Sequence, residues 1–246
     1  MRGDRLYTLV LPPNDIIVKT SFYVQIMDYF KQGGVIMHTI EARLQQSFLR
    51  NEFDAFGKWN IPIVKRIEMD LNDIDLISYT DIKSGDSEEN KKKSVHFFID
   101  DYRMEGVYYN FDRSLLRLGQ YRFLLTPDYS LYAEMPRVVQ LFNVFRNRWC
   151  GAFWQKNGLT VIPTISWSDA SSIDFCFDGV EEKSIVGISM IGCKRSKRAF
   201  LYGYSAMIEK INPKAVICLG VPFSEMSGNI ISIDYQQSRR VNRNGR

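Results

Sequence analysis

Five short apolar runs, at 95–99, 123–126, 160–165, 185–189 and 215–219, recur along the chain, each beside turn residues or a helical stretch. This alternation constrains the fold more than any other feature. A short run that is apolar throughout suits a strand buried on both faces, and strands separated by helices pair in parallel through right-handed crossovers. The expected class is α/β, with a mainly parallel sheet of about five strands, flanking helices and a mixed N-terminal segment. An open sheet and a partial TIM-like barrel both satisfy the pattern.

The clearest helix starts near Pro136, a favoured first helical residue, and stops at Gly158. Val138, Leu141, Phe142, Phe145, Trp149 and Phe153 form its apolar stripe, with Gln140, Asn143 and Asn147 on another face. Leu115 and Leu118 belong to an earlier helix. Phe200, Tyr204, Met207 and Ile211 belong to a later one, ended by Asn212-Pro213.

With 45% hydrophobic and 24% charged residues over 246 positions, composition is that of a globular chain and excludes disordered and fibrous classes. It reads as a single domain, 1–246, in three stretches. Residues 1–90 form the mixed segment, with one helix capped by Thr20 or Ser21 and ended by Gly33-Gly34, and another through Ile36, Ile40, Leu44 and Phe48. A charged loop, 84–93, closes that stretch. Residues 95–221 carry the repeating core, and 222–246 form a basic tail. Cys150, Cys176, Cys193 and Cys218 make no Cys-x-x-Cys pair, and His38 and His96 have no ligand-spaced partner, so buried reduced thiols are expected rather than a zinc site. No signal-peptide pattern opens the chain, and no apolar run approaches the ~18 residues of a spanning helix. A cytoplasmic setting without membrane contact is the expectation. Oligomeric state leaves no mark in the sequence.

Charge is uneven. Residues 194–246 carry ten Lys and Arg against three acids, a net +7, which suits an anionic partner such as nucleic acid or a phosphate-bearing ligand.

In either α/β architecture, ligands bind at the carboxyl ends of the strands, where the loops converge. The first run ends in Asp100-Asp101-Tyr102-Arg103, the second in Thr126-Pro127-Asp128 and the third in Ser166-Trp167-Ser168-Asp169. The fourth ends in Gly192-Cys193-Lys194-Arg195. Asp100, Asp101, Asp128 and Asp169 are thus the catalytic candidates, as general base, nucleophile or magnesium ligand. Lys194, Arg195 and Arg103 are the phosphate-binding candidates, and Trp167 offers a ring for stacking, with Tyr102, Tyr129 and Tyr132 around the same mouth. Cys193 beside two cations is expected to have a lowered pKa if exposed. Local roles compete: Asp169 sits where a helix N-cap belongs, Asp128 in a turn, and His96 at the start of an apolar strand as a structural residue. Gly-x-Gly-x-x-Gly, Walker and Gly-x-Ser-x-Gly motifs are absent, so no nucleotide-cofactor cradle is expected.

At these positions the chain resembles a known family. The blocks VHFFIDDYRMEGVYYN (95–110), LLTPDYSLYAEMP (124–136), FRNRWCGAFWQKNGLTVIPTISWSD (145–169) and FCFDGVEEKSIVGISMIGC (175–193) are similar to the domain of unknown function 4417 family, with weaker likeness at FGKWNIPIVK (56–65). The resemblance implies a bacterial, phage or mobile-element setting and brings no established activity. Met104 and Met190-Ile191 depart from the residues common in that family.

Three functions compete on these grounds. One is an enzyme acting on nucleic acid or a nucleotide through the strand-end carboxylates. Another is a non-catalytic nucleic-acid-binding module. The last is a protein-interaction module using Tyr108, Tyr109 and Phe111.

Overall fold

The computed structural model describes residues 49–236 and 238. The chain divides at Glu52–Phe53, and the unit beginning at Phe53 holds every strand and helix described below.

A short antiparallel hairpin, β1 (Ala55–Phe56) with β2 (Ile61–Pro62), precedes the main sheet. Seven parallel strands follow: β3 (Leu76–Ser78), β4 (Ser94–His96), β5 (Leu124–Leu125), β6 (Val161–Ile162), β7 (Ile185–Ser189), β8 (Ala215–Leu219) and β9 (Ile230–Ile233). Ladders join β3-β4-β5-β6 and β7-β8-β9, and the bridge Thr164↔Gly187 links the two groups. The helices are α1 (Glu88–Lys91), α2 (Glu105–Tyr109), α3 (Phe111–Leu118), α4 (Arg137–Lys156) and α5 (Lys197–Ile211).

All five sequence-predicted runs are strands, and the α/β class with a parallel sheet and flanking helices holds. Two further strands of the parallel sheet were not anticipated, nor was the β1–β2 hairpin. β3 is three residues long inside the segment read as mixed, and β9 lies inside the stretch read as a basic tail. The loop 84–93 contains the one-turn α1, whose N-cap Ser87 accepts from the Asn90 amide at 3.3 Å.

Strand order follows chain order without a reversal, so all right-handed crossovers place their helices on one side of the sheet. The other side would face water if the sheet were flat. Instead its side chains make one apolar cluster drawn from six of the seven strands and from Phe98 just after β4. Leu76, Leu125, Ile162, Ile185, Ile217 and Ile233 meet there, so the sheet curls around its own inner face. Period-two alternation sorts the rest: in β8, Ala215, Ile217 and Leu219 point inward while Val216 and Cys218 pack outward. The partial barrel is the alternative that the packing favours. Among the described residues no ladder joins β3 to β9.

The segment before β3 covers the amino-terminal end of this core. Ile67, Met69 and Leu71 pack on the inner cluster, and Arg122 donates to the carbonyls of Asp70, Asn72 and Asp73 at 2.8–3.1 Å. Lys214 pairs with Glu68 on the same side. That leaves the carboxyl ends as the open side.

Helix α4 departs from its sequence pattern. Gln140, Asn143 and Asn147 are buried, together with Arg146 and Arg148, whereas Val138 is 71% exposed. The polar stripe faces the sheet because the loop after β5 presents carbonyls that need donors. Gln140 donates to Tyr132 and Met135, Asn143 to Ser130 at 2.6 Å, and Asn147 to Pro127 at 2.7 Å. Arg148, with no carboxylate among its hydrogen-bond partners, donates to the Asp178, Thr164 and Cys176 carbonyls at 2.9–3.0 Å and to Asn147 Oδ1 at 2.6 Å. Gly151 lets this helix sit close to the sheet, since a Cβ there would lie 2.7 Å from Thr126 and from Val64.

Candidate functional site

At the carboxyl ends lies a cavity of about 750 Å³, with walls from the strand-end segments after β3, β4, β5, β6, β7 and β9. Strand parity accounts for much of its lining. His96 and Phe98 share the inward parity of the β4 segment, and Asp100 continues it into the loop. Beyond β6, Thr164 and Ser166 keep the parity of the inward Ile162, and Ser166 reaches the cavity.

Asp128 is held at the wall by the loop that α4 pins from beneath. Desolvation pushes its carboxyl up from 3.8 to about 7; a hydrogen bond with Ser166 lowers it and the charge of Asp101 raises it. The side chain is half-buried.

Asp100 also lines the cavity and pairs with Arg103 at 3.6 Å, both side chains being substantially solvated. Asp101 takes a different course. It accepts from the Ser130 amide at 3.2 Å and the Ser130 hydroxyl at 2.8 Å, and Arg146 lies 3.6 Å away. Arg146 also grips Glu105 at 2.8 Å and lies 3.6 Å over the Tyr129 ring. Asp101 therefore fastens the β5 loop to the β4 loop and is not among the residues that line the cavity, unlike its fellow candidates Asp100 and Asp128.

Asp169 is also absent from the cavity wall. It caps the turn Ala170–Ser172, accepting from the Ser171 amide at 2.9 Å and the Ser171 hydroxyl at 2.7 Å. Those bonds hold its carboxyl below the usual range, and it does not line the cavity. The local N-cap role prevails.

Lys194 and Arg195 are exposed on the turn Cys193–Ser196 and are not part of the cavity wall. Of the predicted cations only Arg103 lines it. Cys193 lines the cavity too, but burial and the nearby Asp128 push its thiol up to about 11. That overturns the expectation of an activated thiolate, because its sulfur lies among the Ser189 and Ile191 carbonyls while the cations next to it point into solvent. Trp167 is part of the wall, seated against Phe200 with ring centres 5.0 Å apart. Tyr132 lines the cavity, Tyr129 is buried under Arg146, and Tyr102 is 72% exposed away from the wall. Of the aromatic trio proposed for partner binding, Tyr108 is buried against Trp149, Phe111 is partly buried, and Tyr109 is exposed.

Sequence reasoning missed Ser78, Thr80, Asp81, His96 and Ser166 as wall residues. The first three lie at the end of, or just after, a strand too short to show a period. His96 and Ser166 were legible from parity alone.

Among the described residues, no group of three His, Cys, Asp or Glu side chains is placed to hold a metal ion. Among the same residues, no helix is long and apolar enough to cross a membrane.

The family model described as Domain of unknown function (DUF4417) matches residues 53–236. The chain belongs to that family. The match takes in every cavity residue named above. Two DUF4417-related proteins come from phages. The Gene 1 protein of Mycobacterium phage L5 is 37% identical over 175 residues, which is 70% of this chain and 76% of that protein. The Gene 1 protein of Mycobacterium phage D29 is 41% identical over 130 residues, 52% of this chain and 48% of that protein. This DUF4417 chain is thus phage-associated by kinship. No solved structure matches it.

Proposed function

We propose that the strand-end cavity is the active site of an enzyme acting on a nucleotide or a nucleic-acid end, with Asp128 transferring the proton. The observation that carries this reading is Asp128 itself, a carboxyl on the cavity wall that keeps its proton up to about pH 7. An acid–base group works best when its pKa lies near the working pH, and such perturbed groups concentrate at functional sites. Ser166 orients the carboxyl, and Asp101 raises its proton affinity from behind.

Size and wall chemistry support the substrate class. A volume of about 750 Å³ falls in the range of small-molecule pockets. Trp167 and Tyr132 line the wall and supply rings on which a flat base can stack. Charge sets the orientation: Asp81 and Asp100 face Arg103 as the sole lining cation among the described residues, so the interior disfavours phosphate. The base enters, and the phosphate stays toward solvent on the Arg103 side.

Titration with each nucleoside 5′-monophosphate, followed by tryptophan emission, tests this. Saturable quenching is expected in the wild type and lost in Trp167→Leu, with turnover lost in Asp128→Asn. No quenching by any of them refutes the reading.

A second reading rests on a separate observation. Lys194, Arg195 and Arg198 are exposed with no ion pair among the described residues, and four further arginines follow Ser238. If this surface alone grips nucleic acid, affinity falls steeply with salt and on truncation after Ser238.

A further inference from the structure

We infer that Arg146 is a positioning residue for Asp128: through Tyr129 and Asp101 it sets both where that carboxyl stands and the charge behind it. This rests on Asp128 being the acid–base group proposed above, and it names the residues that tune it.

Three elements meet at Arg146. It projects from α4, Glu105 opens α2, and Asp101 lies in the turn Asp101–Arg103 after β4. The Arg146 side chain is only 7% exposed. Its Nη1 donates to both Glu105 oxygens at 2.8 Å, and its Nη2 lies 3.6 Å from Asp101. The guanidinium covers the Tyr129 ring at 3.6 Å. Asp101 in turn accepts from the amide and the hydroxyl of Ser130. The two residues that follow Asp128 are thus fastened to one cation, Tyr129 directly and Ser130 through Asp101.

Charge makes the cluster adjustable. One cation serves two carboxylates, and the closer contact goes to Glu105. Asp101 is left partly uncompensated, and its negative charge is the one that opposes ionisation of Asp128. Stability does not account for such a cluster. Arg146 Nε is buried with no hydrogen-bond partner among the described residues, and replacing buried ion clusters by apolar side chains is often neutral or stabilising. The signs follow. Without the Glu105 charge, Arg146 serves Asp101 alone and Asp128 ionises more easily. Without Arg146, two unopposed carboxylates make Asp128 ionise less easily. A role confined to holding the loop gives another pattern, because either change would loosen the loop, admit water to Asp128 and ease its ionisation.

Carbon-13 NMR of aspartate-labelled full-length protein tests this, with Asp128→Asn identifying the Asp128 carboxyl signal during a pH titration. The other charged or titratable groups of the cavity wall, Asp81, His96, Asp100, Arg103 and Cys193 with the phenols of Tyr132 and Tyr235, stay the same throughout. Glu105→Gln should lower the titration midpoint and Arg146→Gln should raise it, each by about half a pH unit, while Arg146→Lys stays near wild type. Should Arg146→Gln fail to fold, a second pair decides. Asp101→Asn should lower the midpoint, and adding Glu105→Gln to it should move it no further, since the effect of Glu105 passes through Asp101. Midpoints that shift the same way or not at all in the first pair, or that add in the second, overturn the inference. If the midpoints move as expected while no nucleotide quenches Trp167, the positioning role stands and the nucleotide reading fails.

Discussion

Replacing Asp128 by Asn should make the protein more stable at alkaline pH and leave it little changed in mild acid. In the unfolded chain the carboxyl titrates near 3.8; in the fold, desolvation holds its proton to about 7. A folded-state value above the unfolded one contributes stability that is complete below the lower value. It is lost progressively as pH rises and is gone once the higher value is passed. Between about pH 5 and about pH 8.5 the wild type crosses roughly two of those pH units, each equivalent to about 1.4 kcal/mol, so the unscreened loss is about 3 kcal/mol. The side chain is half-buried and water reaches it, which reduces the expected loss to about 1.5 kcal/mol. Asn keeps the shape and an acceptor for Ser166 but does not titrate. Urea unfolding of both proteins at the two pH values isolates the effect, because the other titrating groups largely cancel in the difference. The Asn variant should gain about 1.5 kcal/mol relative to wild type on going to the higher pH. A difference that stays flat means that Asp128 is an ordinary carboxylate, and an Asn variant that loses ground as pH rises means that its pKa is lowered; either refutes the acid–base argument.

Two further outcomes follow from the cavity wall. A Cβ at Gly203 on α5 would lie 2.2 Å from the Trp167 indole, so Gly203→Ala must displace that ring; thermal unfolding should report a loss of about 1–3 kcal/mol and tryptophan emission should shift, whereas an unaltered spectrum contradicts the packing. Cys193 should react with iodoacetamide at neutral pH more slowly than a free cysteine, since its thiol is pushed up to about 11; fast alkylation would restore the activated-thiolate expectation.

Most of the parallel core was legible because strands buried on both faces must be apolar throughout, as in 185–189 and 215–219. The limits were physical too. Leu76–Ser78 is too short for a period to appear, and Ile230–Ile233 follows a turn-rich stretch in a segment read for the four arginines that end it. The inverted polar face of α4 was invisible because the acceptors that bury Gln140, Asn143 and Asn147 are backbone carbonyls, whose direction in the loop just before the helix no side-chain pattern reveals. Within the site, parity separates Asp100 from Asp101, and the fold agrees. Lys194 and Arg195 show where the strand-end rule stops. It locates a loop but not the direction of its side chains, and a turn after Gly192, at φ +78°, leaves both cations in solvent.

Amide chemical-shift mapping during titration with nucleoside monophosphates tests the central claim most directly. Perturbations are expected to concentrate at Ser78, Asp100, Asp128, Ser166 and Trp167, around the open mouth of the strands. Perturbations confined to the turn bearing Lys194 and Arg195, or spread over the outer helices, would contradict it.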